Sequence, residues 1–183
     1  KCLSGNKIHI MPKSLKLILY STLILFSVLT IIGLLLPPVT RVSRTKDIEV
    51  PADSIRPIIF QIEQWEKWIP GADSVGITVK DYDETKFVKT MQLGSFVITV
   101  VQRTDSSIVT NWSSADNPLQ TSTISIYPHI DGKSATVNWL FEQPVNWYPW
   151  ERLSTMMFEK IFGIPMELGL EKLKAICEKR PTS

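Results

Sequence analysis

ATVNWLFE, residues 135–142, is the stretch that decides the fold. Ala135, Val137, Trp139 and Phe141 alternate with Thr136, Asn138 and Leu140, the period of two that a strand with one buried face requires. Asp131-Gly132 stands just before it, a turn dipeptide that joins such runs into hairpins. Downstream the period changes. Trp150, Leu153, Met157, Phe158, Ile161 and Phe162 mark one face of a helix, and Met166, Leu170, Leu173 and Cys177 continue it at helical spacing. Gly163 and Pro165 interrupt the pattern and predict a bend or brief break. Lys172, Lys174, Lys179 and Arg180 gather where the negative end of the helix dipole favours cations.

Reading upstream from the strand, alternating runs recur back to Ser74. They hold Ile124 and Ile126; Ile108 and Trp112; Phe96, Ile98 and Val100; Phe87, Met91 and Leu93; and Val75, Ile77 and Val79. Turn-forming residues separate them at 81–84, 93–95, 104–107 and 116–118. Six antiparallel strands in a meander follow, with a first strand at residues 46–50. Between these lie helical residues: Ile55, Ile58, Ile59 and Ile62 share a face, with Asp53 or Ser54 as cap and Pro57 in the first turn. Trp65 and Trp68 follow, and Pro70-Gly71 breaks the helix. A meander with one apolar face needs a cover, and the C-terminal helix supplies it. The expected class is α+β, a seven-stranded antiparallel sheet curled around a long helix.

Ahead of this domain stands LILYSTLILFSVLTIIGLLL, residues 17–36, with no charge. Twenty residues at about 1.5 Å each span roughly 30 Å, a bilayer's hydrocarbon core. The run exceeds the ~7–15 apolar residues of a signal peptide, and no small-x-small cleavage site follows. Its serines and threonines can bond back to their own helix, and Pro37-Pro38 ends it. The resulting division is a basic segment over 1–16, a transmembrane helix over 17–36, a linker over 37–45 and a domain over 46–180. Met11 reads as a natural start.

Four of the 20 basic residues (Lys1, Lys7, Lys13, Lys16) precede the helix without an acid among them, leaving 16 against 18 acids in the remainder. The lysines suit anionic lipid and lean towards a cytoplasmic N-terminus with the domain outside. The near-neutral domain has no basic stripe, which disfavours nucleic acid as a partner. Cys2 and Cys177 flank the membrane segment and cannot pair within one inserted chain.

Three segments carry a resemblance. SRTKDIEVPADSI (43–55), QIEQWEKWIPG (61–71), and TVNWLFE with WYPWERL and FGIPMELGLEKLKAICE (136–178) resemble the opening strand, first helix, last strand and C-terminal helix of the SRPBCC superfamily. This is the helix-grip fold of START lipid-transfer domains and the birch-pollen allergen family. The chain looks like the polyketide cyclase/dehydrase-like members that bacteria often carry behind one N-terminal membrane helix. It departs at Pro165, where a helix former is usual, and at Met166, where phenylalanine is common. The resemblance implies a cavity between sheet and helix.

Catalytic residue types are scarce. His9 precedes the membrane segment, and His129 sits in a hairpin turn. No Ser-His or Cys-His pair can be proposed, and the chain lacks zinc spacing and a phosphate-binding glycine loop, so no cofactor is expected. Asp73, Asp81, Asp83, Glu84, Asp105, Asp116 and Asp131 fall in turns. Glu142, Glu151 and Arg152 read as surface ion pairs. Aromatics are the informative set, because they line apolar pockets as well as cores. With the fold implied by the resemblance, Trp112, Trp139, Phe141, Phe87, Met91, Phe158 and Phe162 are expected to line the cavity, with Trp65 and Trp68 near its entrance. The expected function is a membrane-anchored domain binding an apolar small molecule or lipid. A polyketide cyclase or dehydratase, and a structural or stress-related interaction module with a filled core, are the alternatives.

Overall fold

A computed structural model describes residues 12–35, 37–84, 87–115, 117–146 and 148–179, without the side chains at 117, 118, 149 and 153–156. The readings made for Lys1, Cys2, Lys7, His9, Met11, Leu36, Asp116, Trp147 and Arg180, and for the side chain of Leu153, lie outside these residues.

Helix α1 (Lys13–Leu35) comes first, long and apolar enough to cross a membrane, a property it shares with signal sequences. The hydroxyls of Thr22, Ser27 and Thr30 donate to the carbonyls of Ile18, Leu23 and Phe26 at 2.8–2.9 Å, the back-bonding expected of hydroxyl side chains in an apolar helix. Strand β1 (Val39–Ile48) follows directly. The stretch read as a linker over 37–45 is therefore largely strand. It pairs along its whole length with β7 (Ala135–Pro144), from Val39 opposite Pro144 to Ile48 opposite Ala135.

Helix α2 (Ala52–Phe60) buries Ile55, Ile58 and Ile59 as the spacing predicts. It has no side-chain cap; Asp53 pairs instead with Arg56 at 2.6 Å. Pro57 lies in its interior rather than its first turn, and Ile62 belongs to a separate 3-10 turn, Ile62–Lys67, that carries Trp65. The short helix α3 (Ala72–Val75) precedes the meander β2 (Ile77–Tyr82), β3 (Val88–Leu93), β4 (Phe96–Arg103), β5 (Ser107–Ser114) and β6 (Asn117–Pro128). The seven strands form one antiparallel sheet in the order β1-β7-β6-β5-β4-β3-β2.

The inner face is built by parity. Ile108 pairs with Ile124, Ile124 with Trp139, and Ile126 with Val137, and all five are buried. At the β6–β7 hairpin, Asp131 accepts the backbone N–H groups of Lys133 and Ser134, which hold its carboxyl below the usual range. His129 is tied into the same loop, against Thr136 at 2.7 Å and Ser134 at 3.1 Å.

Helix α4 (Pro149–Lys179) covers that face without the expected break at Gly163 or Pro165. Proline removes only one backbone donor, to Ile161, and packing on the sheet holds the turns on either side. Met166, Leu170, Leu173 and Cys177 are buried as spaced. Phe158 is buried as well, whereas Trp150, Met157 and Ile161 of the predicted apolar face point outward. Polar contacts between β1 and α4 favour one register: Arg44 reaches Glu159 at 2.6 Å, Lys46 bonds Glu171, and Lys174 of α4 donates to the Asp47 carbonyl at 3.1 Å. The Glu171 hydrogen bond raises the pKa of Lys46. Exposed pairs of this kind contribute little stability each but favour one docking.

Gly169 allows the close approach. A Cβ there would sit 3.1 Å from Trp139 Cζ3 and 3.2 Å from Pro70 Cδ. Gly169→Leu is therefore expected to destabilise the domain by about 1–3 kcal/mol, the usual cost of overpacking, in thermal melts. An unchanged melting temperature would contradict this packing.

Arg152, read as a surface group, is buried. It donates to the Gly33 carbonyl at 3.0 Å and to the Asn146 carbonyl at 3.2 Å, joining the end of α1 to the start of α4. Glu142 does form a surface pair, with Arg41 at 2.6 Å.

Candidate functional site: an aromatic cavity between sheet and helix

A cavity of about 320 Å³ lies between the inner face and α4. Strands β5 to β7 supply its floor through Trp112, Gln120, Trp139 and Phe141, and α4 supplies Ile161, Phe162, Pro165 and Met166. The remaining wall comes from two connections, residues 69–75 before β2 and the β3–β4 turn at 93–96. No described residue lining it is acidic, basic, histidine, cysteine or tyrosine.

The rings form a continuous stack. Trp65 stacks on Trp112 with centroids 6.2 Å apart, Trp112 meets Phe141 edge-on at 5.4 Å, and Phe141 stacks on Phe162 at 5.3 Å. Phe158 lies against Phe162 at 4.3 Å. Such contacts add about 0.5–1.5 kcal/mol per pair beyond buried area, so the wall is stiff. The two indoles in the wall have their polar edges occupied: Trp139 Nε1 donates to Ser122 Oγ at 2.8 Å and Trp112 Nε1 to Thr110 Oγ1 at 3.1 Å.

Four of the expected lining residues, Trp112, Trp139, Phe141 and Phe162, meet at this cavity. Phe158 backs Phe162 from outside the lining. Trp65 and Trp68 are wholly buried rather than at an entrance. Trp65 Nε1 donates to the Ile59 carbonyl at 2.8 Å, and Trp68 sits edge-on to Trp139 at 5.2 Å. Met91 is likewise sealed in the core. Phe87 does not reach the cavity: it precedes β3, is partly exposed, and packs under the Arg103 guanidinium at 4.4 Å in a separate hollow. The register shifts in β2 and β3 explain the displacement, since Val88 and Met91, three apart, both turn inward.

Sequence reasoning missed the two connections, Gln120, and Ile161, Pro165 and Met166 of α4. Gln120 shares parity with Ile124 and Ile126, a signal that places it inward. It is 3% exposed, its Nε2 donates to Gln143 Oε1 at 2.8 Å, and its Oε1 is buried without a partner. An unsatisfied buried acceptor costs about 1–3 kcal/mol.

None of the curated proteins matches the chain in sequence. Among solved structures it resembles a START superfamily protein from Mycobacterium smegmatis (19% identity, TM-score 0.62, covering 76% of this chain and 98% of that one). It also resembles XoxI from Bacillus cereus (14%, 0.56, covering 76% and 96%) and a protein from Thermobifida fusca (14%, 0.57, covering 75% and 92%). At these identities the likeness concerns the fold alone, the START-like arrangement of open antiparallel sheet and long C-terminal helix. The family model described as polyketide cyclase / dehydrase and lipid transport matches residues 39–178, from the first residue of β1 almost to the end of α4, and the chain belongs to that family within the SRPBCC superfamily.

Proposed function

We propose that this protein is a membrane-tethered binding protein that holds a hydrophobic small molecule or lipid between the sheet and α4. The observation that carries this reading is the cavity: about 320 Å³, walled by aromatic and aliphatic side chains, within the ~300–1,000 Å³ range of small-molecule sites. Its described lining offers no side chain that exchanges a proton near neutrality, so the reading is binding and carriage rather than acid–base catalysis.

The tether is α1, and the lysines ahead of its uncharged stretch from Leu17 favour a cytoplasmic N-terminus. A row on the outer side of α4 (Trp150, Met157, Ile161, Ile164 and Leu168) is exposed. Ile161 belongs both to this row and to the cavity lining. Apolar surface thus continues from outside to the mouth, which supports loading from a bilayer.

The full chain in lipid nanodiscs, titrated with the neutral probe N-phenyl-1-naphthylamine, is expected to show saturable binding at one site per chain. A response no greater than that of empty nanodiscs would contradict the proposal.

A further inference from the structure

We propose that Gln120 selects the ligand, and that the cavity takes a neutral, largely apolar molecule carrying a hydroxyl or N–H group that donates to Gln120 Oε1. The inference rests on the binding role proposed above and narrows its ligand class.

On β6, Gln120 stands opposite Trp112 of β5, and its side chain joins the cavity floor. Its amide bonds Gln143, which accepts the Nε2–H at 2.8 Å, and in this orientation the carbonyl end is the end left over. That oxygen is buried and has no partner. The indole donors of the lining are already used, Trp112 on Thr110 and Trp139 on Ser122, while Trp68, whose Nε1 is also buried without a partner, lies outside the lining. Ser95 carries the one hydroxyl among the lining side chains, and it is exposed in the β3–β4 turn.

A buried acceptor in an apolar wall discriminates by what it leaves unsatisfied. A pure hydrocarbon would leave it unpartnered. A carboxylate or phosphate would place negative charge beside a carbonyl oxygen, in a lining without a cation. A hydroxyl or N–H satisfies it and leaves the rest of the molecule to the aromatic stack.

The test compares 2-naphthol with 2-methoxynaphthalene, which differ in having or lacking the donor. The full chain in zwitterionic nanodiscs is titrated with each, and each is corrected for partition into empty nanodiscs. The naphthol is expected to bind at least about fivefold more tightly, the scale of one hydrogen bond. In Gln120→Met, nearly isosteric, the ratio of the two affinities should fall to about one. Equal wild-type affinity for the two probes overturns the inference and leaves the cavity's binding role standing, with no reliance on the variant's folding. A preference that survives in Gln120→Met also overturns it. Failure of both probes to bind removes the binding role and the inference together.

Discussion

Replacing Trp139 by alanine is expected to destabilise the domain by about 3–5 kcal/mol, the range for deleting a large buried aromatic. Trp139 is 3% exposed, meets Trp68 edge-on at 5.2 Å, and lies beside the bare backbone of Gly169. Truncation removes ring contacts to Trp68, to Phe141 and to α4 at once, and withdraws the donor from Ser122, itself fully buried. For a domain of this size the melting temperature should fall by roughly 10–20 °C. Trp139→Phe keeps most of the packing and loses the indole hydrogen bond, so it should cost nearer 1 kcal/mol. If alanine and phenylalanine were equally mild, Trp139 would not be the joint between sheet and helix that the contacts describe.

The second large effect concerns binding. Ala72, at the start of α3, is buried and lines the cavity. Ala72→Trp directs a bulky ring into the space a ligand would occupy and does not alter the aromatic stack on the floor. Apparent affinity for N-phenyl-1-naphthylamine is expected to fall at least tenfold, with a melting temperature close to that of the wild type because an existing void is filled. Retention of wild-type affinity in a folded variant would place the ligand elsewhere, for instance on the outer row of α4.

These two residues show what the sequence carries and what it withholds. Trp139 was legible because β7 alternates cleanly, and the buried half of α4 was legible because Met166, Leu170, Leu173 and Cys177 keep one helical face. The start of β1 was not. Between Val39 and Ile48 only Val42 and Ile48 are buried, too sparse a pattern to announce a strand whose partner lies some ninety residues away in β7. Phe87 falls outside the cavity because parity is lost where a register shift intervenes. Ala72 carries no local signal at all: it becomes part of a binding wall through tertiary placement of the segment after Pro70-Gly71. The aromatic floor was thus half readable, and the walls that close it were not.

The measurement that addresses the central claim most directly is the response of the indole N–H signals to 2-naphthol in 15N–1H spectra of the full chain in nanodiscs. Trp112 and Trp139 line the cavity, Trp65 is sealed behind it, and Trp150 is exposed on α4. The predicted result is a saturable shift of the Trp112 and Trp139 resonances, a smaller one for Trp65, and none for Trp150. A shift confined to Trp150, or no saturable shift in any indole, would contradict a ligand held between the sheet and the helix.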